Sequence, residues 1–445
     1  MVRAPHTRLT AQRIRRGSGR PAAITSIRAA VRTLGNRAAS QVPKIAAVVR
    51  KLGDTPLPAP PDALRRGPLT EDAFRSDVRS KRLTSQLGLW LGIAFGICFL
   101  TGLISHFIQH PGGWFWWPAH PIWLYRATQG IHIATGLASV PLLGAKLWSV
   151  YPNLFTWPPA RNLAQALERG SIAILVAAAL FQITTGILNI ARWYTPMGFF
   201  FTTAHYWTAW IAIGALLLHI AVQLPVIRAH LGRHAPPDSP HVSGGLSRRG
   251  VLAAVATSAA VITIATVGET ITPLSPISVL GGRRPNQGPQ GLPVNRSAAA
   301  AGVLATATDP AYRLVLSGPG GSRRMSLDDL RSMPQHTVTL PIACVEGWSA
   351  SATWTGVRVR DLAALVGVRD GDASVEVTSL QRNTTLYTTS VLPPPHVRDD
   401  LTLLALALDG QPLALDHGYP ARIIAPNRPG VLQTKWVGAM NVVPS

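Results

Sequence analysis

The sequence predicts a multi-domain chain: an all-α transmembrane bundle of four helices plus a fifth tethering helix, followed by an α+β domain. Three observations predict it. Only 14% of the 445 residues are charged, well below the quarter expected of soluble domains. Five apolar segments are long enough to cross a bilayer, which takes about 20 residues. Beyond about residue 270 these long runs give way to short β-branched runs separated by turn residues.

Residues 1–82 hold 18 basic against 5 acidic residues and account for 13 of the net +22. An Ala/Arg/Pro-rich stretch of this kind buries little, so a disordered cytoplasmic tail beside anionic membrane lipid is expected. It has no aromatic interleaving and no zinc or helix-turn-helix signature, so no nucleic acid is expected as a partner.

The apolar segments run over about 86–109, 122–148, 170–191, 201–228 and 250–268, the first four making a bundle over 83–230. Their flanks orient them. Basic residues gather before the first span, between the second and third (Lys146, Arg161, Arg169) and after the fourth (Arg228, Arg233, Arg248, Arg249). The first connection, "HPGGWFWWPAHP", has no Lys or Arg and carries an aromatic belt. The positive-inside rule therefore places the N-terminus in the cytoplasm and everything after the fifth span outside.

The connector and fifth helix, 231–270, contain "LSRRGVLAAVATSAAVITIATVG". Paired arginines before an apolar helix are ordinary topology signals. Ser247, Arg248, Arg249, Val251 and Leu252 also resemble a twin-arginine export signal, which carries domains already folded around a cofactor and implies a multi-pass protein of a bacterial cell membrane.

Ionisable residues at bilayer depth are costly and are functional candidates by default. His205 and His219 stand fourteen positions apart on the fourth span. That is about 21 Å along the axis and close to four whole turns, so both leave one face. With His106 on the first span and His132 on the second, four histidines on three helices suit one or two b-type haems with axial imidazoles. The arrangement resembles the di-haem cytochrome b subunits of membrane-bound formate dehydrogenases and hydrogenases. In that family the first-helix histidine lies near the cytoplasmic face, whereas His106 falls near the outer end of its span. Either His106 or His132 could then face His205, and the partner of His219 stays open.

Residues 271–291 are Pro/Gly-rich and read as a linker. The domain over 292–445 shows strand-like runs in "YRLVLSG", "HTVTLPIA", "ASVEVTSL", "TTLYTTSVL", "LTLLALALDG" and "ARIIAP", with short helices in "SLDDLRSM" and "RVRDLAALVG". Cys344 is one of two cysteines. A thiol outside the cytoplasm without a partner invites oxidation, and metal coordination would protect it.

"LPIACVEGWSASATWTGVRVRDLAALVG" resembles the metal-binding segment of sulfite oxidase-like molybdopterin oxidoreductases, where a Cys ahead of a Gly-Trp pair presents a thiolate to molybdenum. "LPVNRS" and "LDHGYPARIIAPNRPGVLQTKWVGAMNVV" resemble that family's pterin-binding stretches. The resemblance implies that Cys344 ligates molybdenum. It also implies that Asn295, Arg296, His417, Arg422, Asn427, Arg428 and Lys435 bind the pterin and its phosphate; Tyr419, ahead of Pro420, could line the metal pocket in a catalytic role or simply pack. Arg382 could meet an anionic substrate or simply be solvated.

Together the halves imply a membrane oxidoreductase that transfers an oxygen atom to or from a small oxyanion or oxide outside the cytoplasm, with haem linking it to the quinone pool. Sulfite-type oxidation and sulfoxide or N-oxide reduction stay open. The chain ends soon after "TKWVGAMNVV", short of the domain through which sulfite oxidases dimerise, so sulfite is in question and oligomeric state is not read. An electron-transfer cytochrome with an inactive binding domain is the alternative.

Overall fold

The computed structural model describes residues 76–156, 162–231, 247–268, 271–284, 286–368, 373–382 and 387–444, with isolated positions at 62, 68, 70, 73, 74 and 160. The expectation for the basic tail falls almost wholly outside these residues.

Among the described residues, five helices are long and apolar enough to cross a membrane. They are α1 (Lys81–Gln109), α2 (Leu124–Leu154), α3 (Leu163–Ile190), α4 (Phe201–Leu231) and α5 (Arg248–Val267). Their starts are set by local chemistry. Ser80, Asn162 and Ser247 each accept a hydrogen bond from an otherwise unpartnered amide of the first turn of α1, α3 and α5. α1 stops just before Pro111, which cannot continue a helix. α1 packs on α2 and α4, α3 on α4, and α5 on the outside of α2, where Thr263 donates to the Ala134 carbonyl at 3.4 Å.

The second half is an α+β domain of two five-stranded sheets. The first has the order β2 (Gly321–Met325), β1 (Leu314–Gly318), β10 (Val437–Pro444), β5 (Ala373–Ser379), β6 (Thr389–Leu392). In the second, β3 (His336–Ala343), β4 (Ser349–Arg358), β7 (Leu403–Leu408) and β8 (Gln411–Pro412) run in that order, with β9 (Arg422–Ile424) also on β7. All six expected strands and both expected helices, at Leu327–Ser332 and Val359–Leu365, are present. β2, β4, β8 and β10 are additional. β4 is "SASATWTGVR", too rich in Ser, Ala and Gly to announce a strand, and it forms because β3 and β7 flank it on both sides.

The two halves are docked. The Trp117 indole donates to the Asn427 carbonyl at 2.8 Å, the Asn427 amide donates to the Pro118 carbonyl at 2.7 Å, and the Tyr125 amide donates to Asn427 Oδ1 at 2.6 Å. His120 meets Asp399 at 2.7 Å. The segment read as a linker is a packed strap. Its Leu280 amide donates to the Ala265 carbonyl at 2.7 Å, Arg283 pairs with Glu346 at 2.6 Å, and Gln290 donates to the Pro412 carbonyl at 3.1 Å.

Gly356 marks a bulge in β4 where it crosses β7, and a Cβ there would overlap the Leu404 carbonyl. Gly356→Ala should therefore destabilise the domain by about 1–3 kcal/mol through backbone overpacking. The check is the thermal midpoint of the C-terminal domain in the detergent-solubilised chain. An unchanged midpoint would mean that β4 and β7 part without cost.

Candidate functional site

Cys344 follows the last residue of β3 and sits in a tight loop. Its amide donates to the Trp348 carbonyl at 2.9 Å and its carbonyl accepts from Gly347 at 3.0 Å. Gly347 has φ +96°, a conformation side-chain-bearing residues avoid, which lets the chain reverse over so few residues. The thiol is 1% exposed and accepts from Asn295 Nδ2 at 3.0 Å and from the Glu346 amide at 3.4 Å. Burial, and then the Glu346 carboxylate, push it up to about 12. A thiol so placed ionises only against a cation, which is the condition a metal ligand meets. Glu346 is itself held by Arg283 and by the Trp348 indole at 3.1 Å. Neither Glu346 nor Arg283 was singled out from the sequence, although Glu346 lies inside the "CVEGW" stretch.

Three of the basic candidates converge. Lys435 donates to the carbonyls of Arg296 (2.9 Å) and Asp416 (2.7 Å), Arg422 donates to the His417 carbonyl (3.0 Å), and His417 Nε2 meets the Pro289 carbonyl at 2.6 Å. Arg422 also lies over the Trp354 ring, 4.9 Å from its centroid. Burial dominates all three: Lys435 is lowered to about 7, with Arg422 adding to the effect, Arg422 to about 9 and His417 to about 4. Arg422 Nε and Arg296 Nε have no partner among the described residues. Buried cationic groups with unused N–H donors fit a group that carries a phosphate.

The other candidates separate. Tyr419 is half-buried against the apolar cluster that includes Cys344 and Trp348. Asn427 commits one donor and one acceptor position of its amide to the bundle. Arg428 donates to the Val391 carbonyl at 2.9 Å and turns into a different cleft beside His396. Arg382 is exposed just past β5.

Beneath Cys344, the four helices enclose a cavity of about 1360 Å³, counting its open mouth, lined by His106, His110, His132, His205 and Val345 among others. His132 and His205 face one another across it, with ring centroids 6.3 Å apart and planes at 76°. His132 Nδ1 donates to the Cys98 carbonyl at 2.8 Å, and His205 Nδ1 lies 3.2 Å from Thr185 Oγ1. The Cys98 carbonyl thereby holds the His132 ring in the tautomer that keeps its Nε2 lone pair free. Two imidazoles that share one ion through bonds of about 2 Å have centroids up to roughly 6 Å apart, so this pair would be spaced to hold one metal ion between them. Gly102 makes room for the His132 ring, since an added Cβ would lie 3.0 Å from Cε1.

His106 is not in that pair. It stacks on Tyr206 at 3.7 Å. The charged groups that face His219 are Lys146 and Glu168, and no ring contact among the described residues pairs it with another histidine. The described residues thus bring one histidine pair face to face, and the partner of His219 stays open.

Residues 301–445 match the family model described as "Oxidoreductase molybdopterin binding domain". The C-terminal region therefore resembles a sulfite oxidase-like molybdopterin-binding domain. Mouse mitochondrial sulfite oxidase is 35% identical over 158 residues, 29% of this chain and 29% of that protein. The uncharacterized oxidoreductase YuiH of Bacillus subtilis is 32% identical over 25% of this chain and 55% of its own length. YedZ1 of Azospira oryzae, provisionally named as a subunit of a protein-methionine-sulfoxide reductase, is 30% identical over 30% of this chain and 50% of its own length. The chain thus spans under a third of the mammalian enzyme and about half of the two bacterial proteins.

Lys435 yields a pH prediction for the cofactor-free protein. The folded amine loses its proton near 7 and the unfolded one near 10.5, so the unfolded state binds more protons between them and stability should rise with pH. Cys344 opposes this only above the ordinary thiol range, about 8.5, which sets the upper end of the window. The unfolding midpoint should climb from about pH 7 to 8.5 in the parent chain and climb less steeply in Lys435→Met. Equal slopes would mean that the amine is already compensated.

Proposed function

We propose that this chain is a membrane-bound molybdopterin-dependent oxidoreductase whose outer domain transfers an oxygen atom to or from a small substrate, with electrons passing through one b-type haem to or from the quinone pool. When bound, the molybdenum–pterin supplies two-electron oxygen-atom chemistry and the haem supplies one-electron relay. Cys344 would ligate the molybdenum, with Asn295 and the Glu346 amide orienting its sulfur. His417, Arg422, Lys435 and Arg296 would hold the pterin phosphate. His132 and His205 would be the axial ligands of the haem, with His106 lining its pocket and His219 outside it.

One observation carries the reading. Val345, the residue after Cys344, lines the same cavity as His132 and His205. Its carbonyl accepts from Gln129 Nε2 at 3.3 Å and Asn189 Nδ2 at 3.2 Å, so two membrane helices hold the thiol loop against the histidine pocket. Gln129 stands one helical turn from His132. The thiol and the imidazoles are thus joined by short covalent and hydrogen-bonded links.

The surroundings of Cys344 favour a neutral oxide, such as a sulfoxide or N-oxide, over an anion. Charged groups facing it are Glu346, Arg283 and Lys435; Arg283 is engaged by Glu346 and Lys435 lies on the pterin side. The provisional name of YedZ1 points the same way. The distribution of basic residues supports a multi-pass placement in a bacterial cell membrane with this domain outside. Arg248 and Arg249 at the start of α5 supply the twin-arginine pattern for its export.

Single variants test the assignment. Cys344→Ser should abolish substrate-dependent haem oxidation or reduction while leaving haem spectra intact. His205→Ala and His132→Ala should each lose the haem, and His219→Ala should keep it. Turnover by the serine variant would return Cys344 to the status of an inert thiol and the outer domain to a binding module. Full haem content in His205→Ala would dismiss the pair.

Gln129→Leu combined with Asn189→Leu should retain haem and molybdenum but slow substrate-driven haem redox change about tenfold or more, since it removes two hydrogen bonds that hold the thiol loop in register. An unchanged rate would show that the domain docks without them.

A further inference from the structure

A second cleft of about 540 Å³, counting its open side, lies between the bundle and the C-terminal domain. The bundle contributes Phe107 from the outer end of α1 and Phe115, Trp116 and Trp117 from the connection that follows. The C-terminal domain contributes His396 and Arg428. Arg428 is 4% exposed, and only its Nη2 is engaged, by the Val391 carbonyl. Nε and Nη1 have no partner, and among the described residues no carboxylate pairs with this guanidinium. His396, 1% exposed, is held neutral, at about 3, by burial and then by the Arg428 charge. The cleft therefore keeps an uncompensated positive charge behind an aromatic wall, which is costly unless a ligand supplies the anion.

Its location narrows the ligand. Trp116 is 67% exposed beside the last turn of a membrane-capable helix, where tryptophan rings sit at headgroup level. The unused donors lie on two edges of the guanidinium, so the ligand needs several acceptor oxygens. The remaining walls are apolar, which suits a ligand with a hydrocarbon part. A quinone has acceptors but no charge, and free phosphate has charge but no use for the aromatic wall.

We propose that this cleft binds the phosphate of an anionic phospholipid headgroup, with Arg428 as its donor and the Phe107–Trp116 wall against its acyl and glycerol portion. The lipid would sit where Asn427, the neighbour of Arg428, clamps onto Pro118 and Tyr125 of the bundle. It would tie the docked position of the domain to the membrane. The inference needs only a membrane setting and does not rest on the redox reading.

The test uses the full chain purified in detergent. Native mass spectrometry after mild delipidation should find a retained phospholipid in the parent, and retention about tenfold or more weaker in Arg428→Met, the expected loss for a charge-assisted contact. Adding phosphatidylglycerol should raise the unfolding midpoint of the parent and not that of Arg428→Met; inorganic phosphate at equal concentration should do neither. Trp116→Ala, at an exposed position, should weaken retention as well and gives the same reading if Arg428→Met fails to fold. Equal retention in all variants would overturn the proposal. An equal response to inorganic phosphate would replace it with a free-anion site, and a response to a short-chain menaquinone alone would replace it with a quinone site.

Discussion

The Val345 carbonyl is the point on which both halves of the molecule depend. It lies next to the only thiol in the C-terminal domain, and side-chain amides from two membrane helices converge on it. Gln129 and Asn189 are each about 5% exposed, so an amide that lost this acceptor would be left buried without a partner. Asn427 makes a second clamp of the same kind, with its amide and carbonyl all engaged by the outer connection and the start of α2. Polar docking of this kind sets register more than it adds affinity, because each group is satisfied in only one arrangement.

A second constraint is electrostatic. The C-terminal domain buries Arg422 and Arg428 and half-buries Lys435 with few carboxylates near them, and it buries a thiol pushed up to about 12. Desolvated charges of one sign destabilise a fold unless something of opposite sign completes them. Near Lys435 the fit is to a phosphate, near Cys344 to a metal cation, and in the cleft of Arg428 to an anion from the membrane side. The domain is arranged so that ligands supply the charges that its own side chains do not.

Much of this was legible in the residues. The five membrane-capable helices followed from apolar length. Cys344 stood out as a thiol without a partner ahead of a Gly-Trp pair, and Arg422, Lys435 and His417 through segments that resemble pterin-binding stretches. The pairing of the histidines was not legible. His106 and His132 have similar depth, and only the helix rotation that stacks His106 on Tyr206 and ties His132 to the Cys98 carbonyl decides between them. Asn427 and Arg428 read as part of a basic stretch with Lys435, yet a turn of the backbone sends them to the bundle. β4 and β10 were hidden because their small residues owe their conformation to the strands on either side. The strap at 271–291 looked like a linker because its contacts, such as Arg283 with Glu346, are distant in sequence.

The central claim is that one thiol loop and one pair of membrane histidines form a single redox unit. The most direct measurement is the metal content of the purified, lipid-solubilised chain, by elemental analysis for molybdenum together with haem b quantification. The account predicts about one molybdenum and about one haem iron per chain. Haem without molybdenum would reduce the outer domain to a binding module, and two haems per chain would contradict the assignment of His132 and His205 as the sole axial pair.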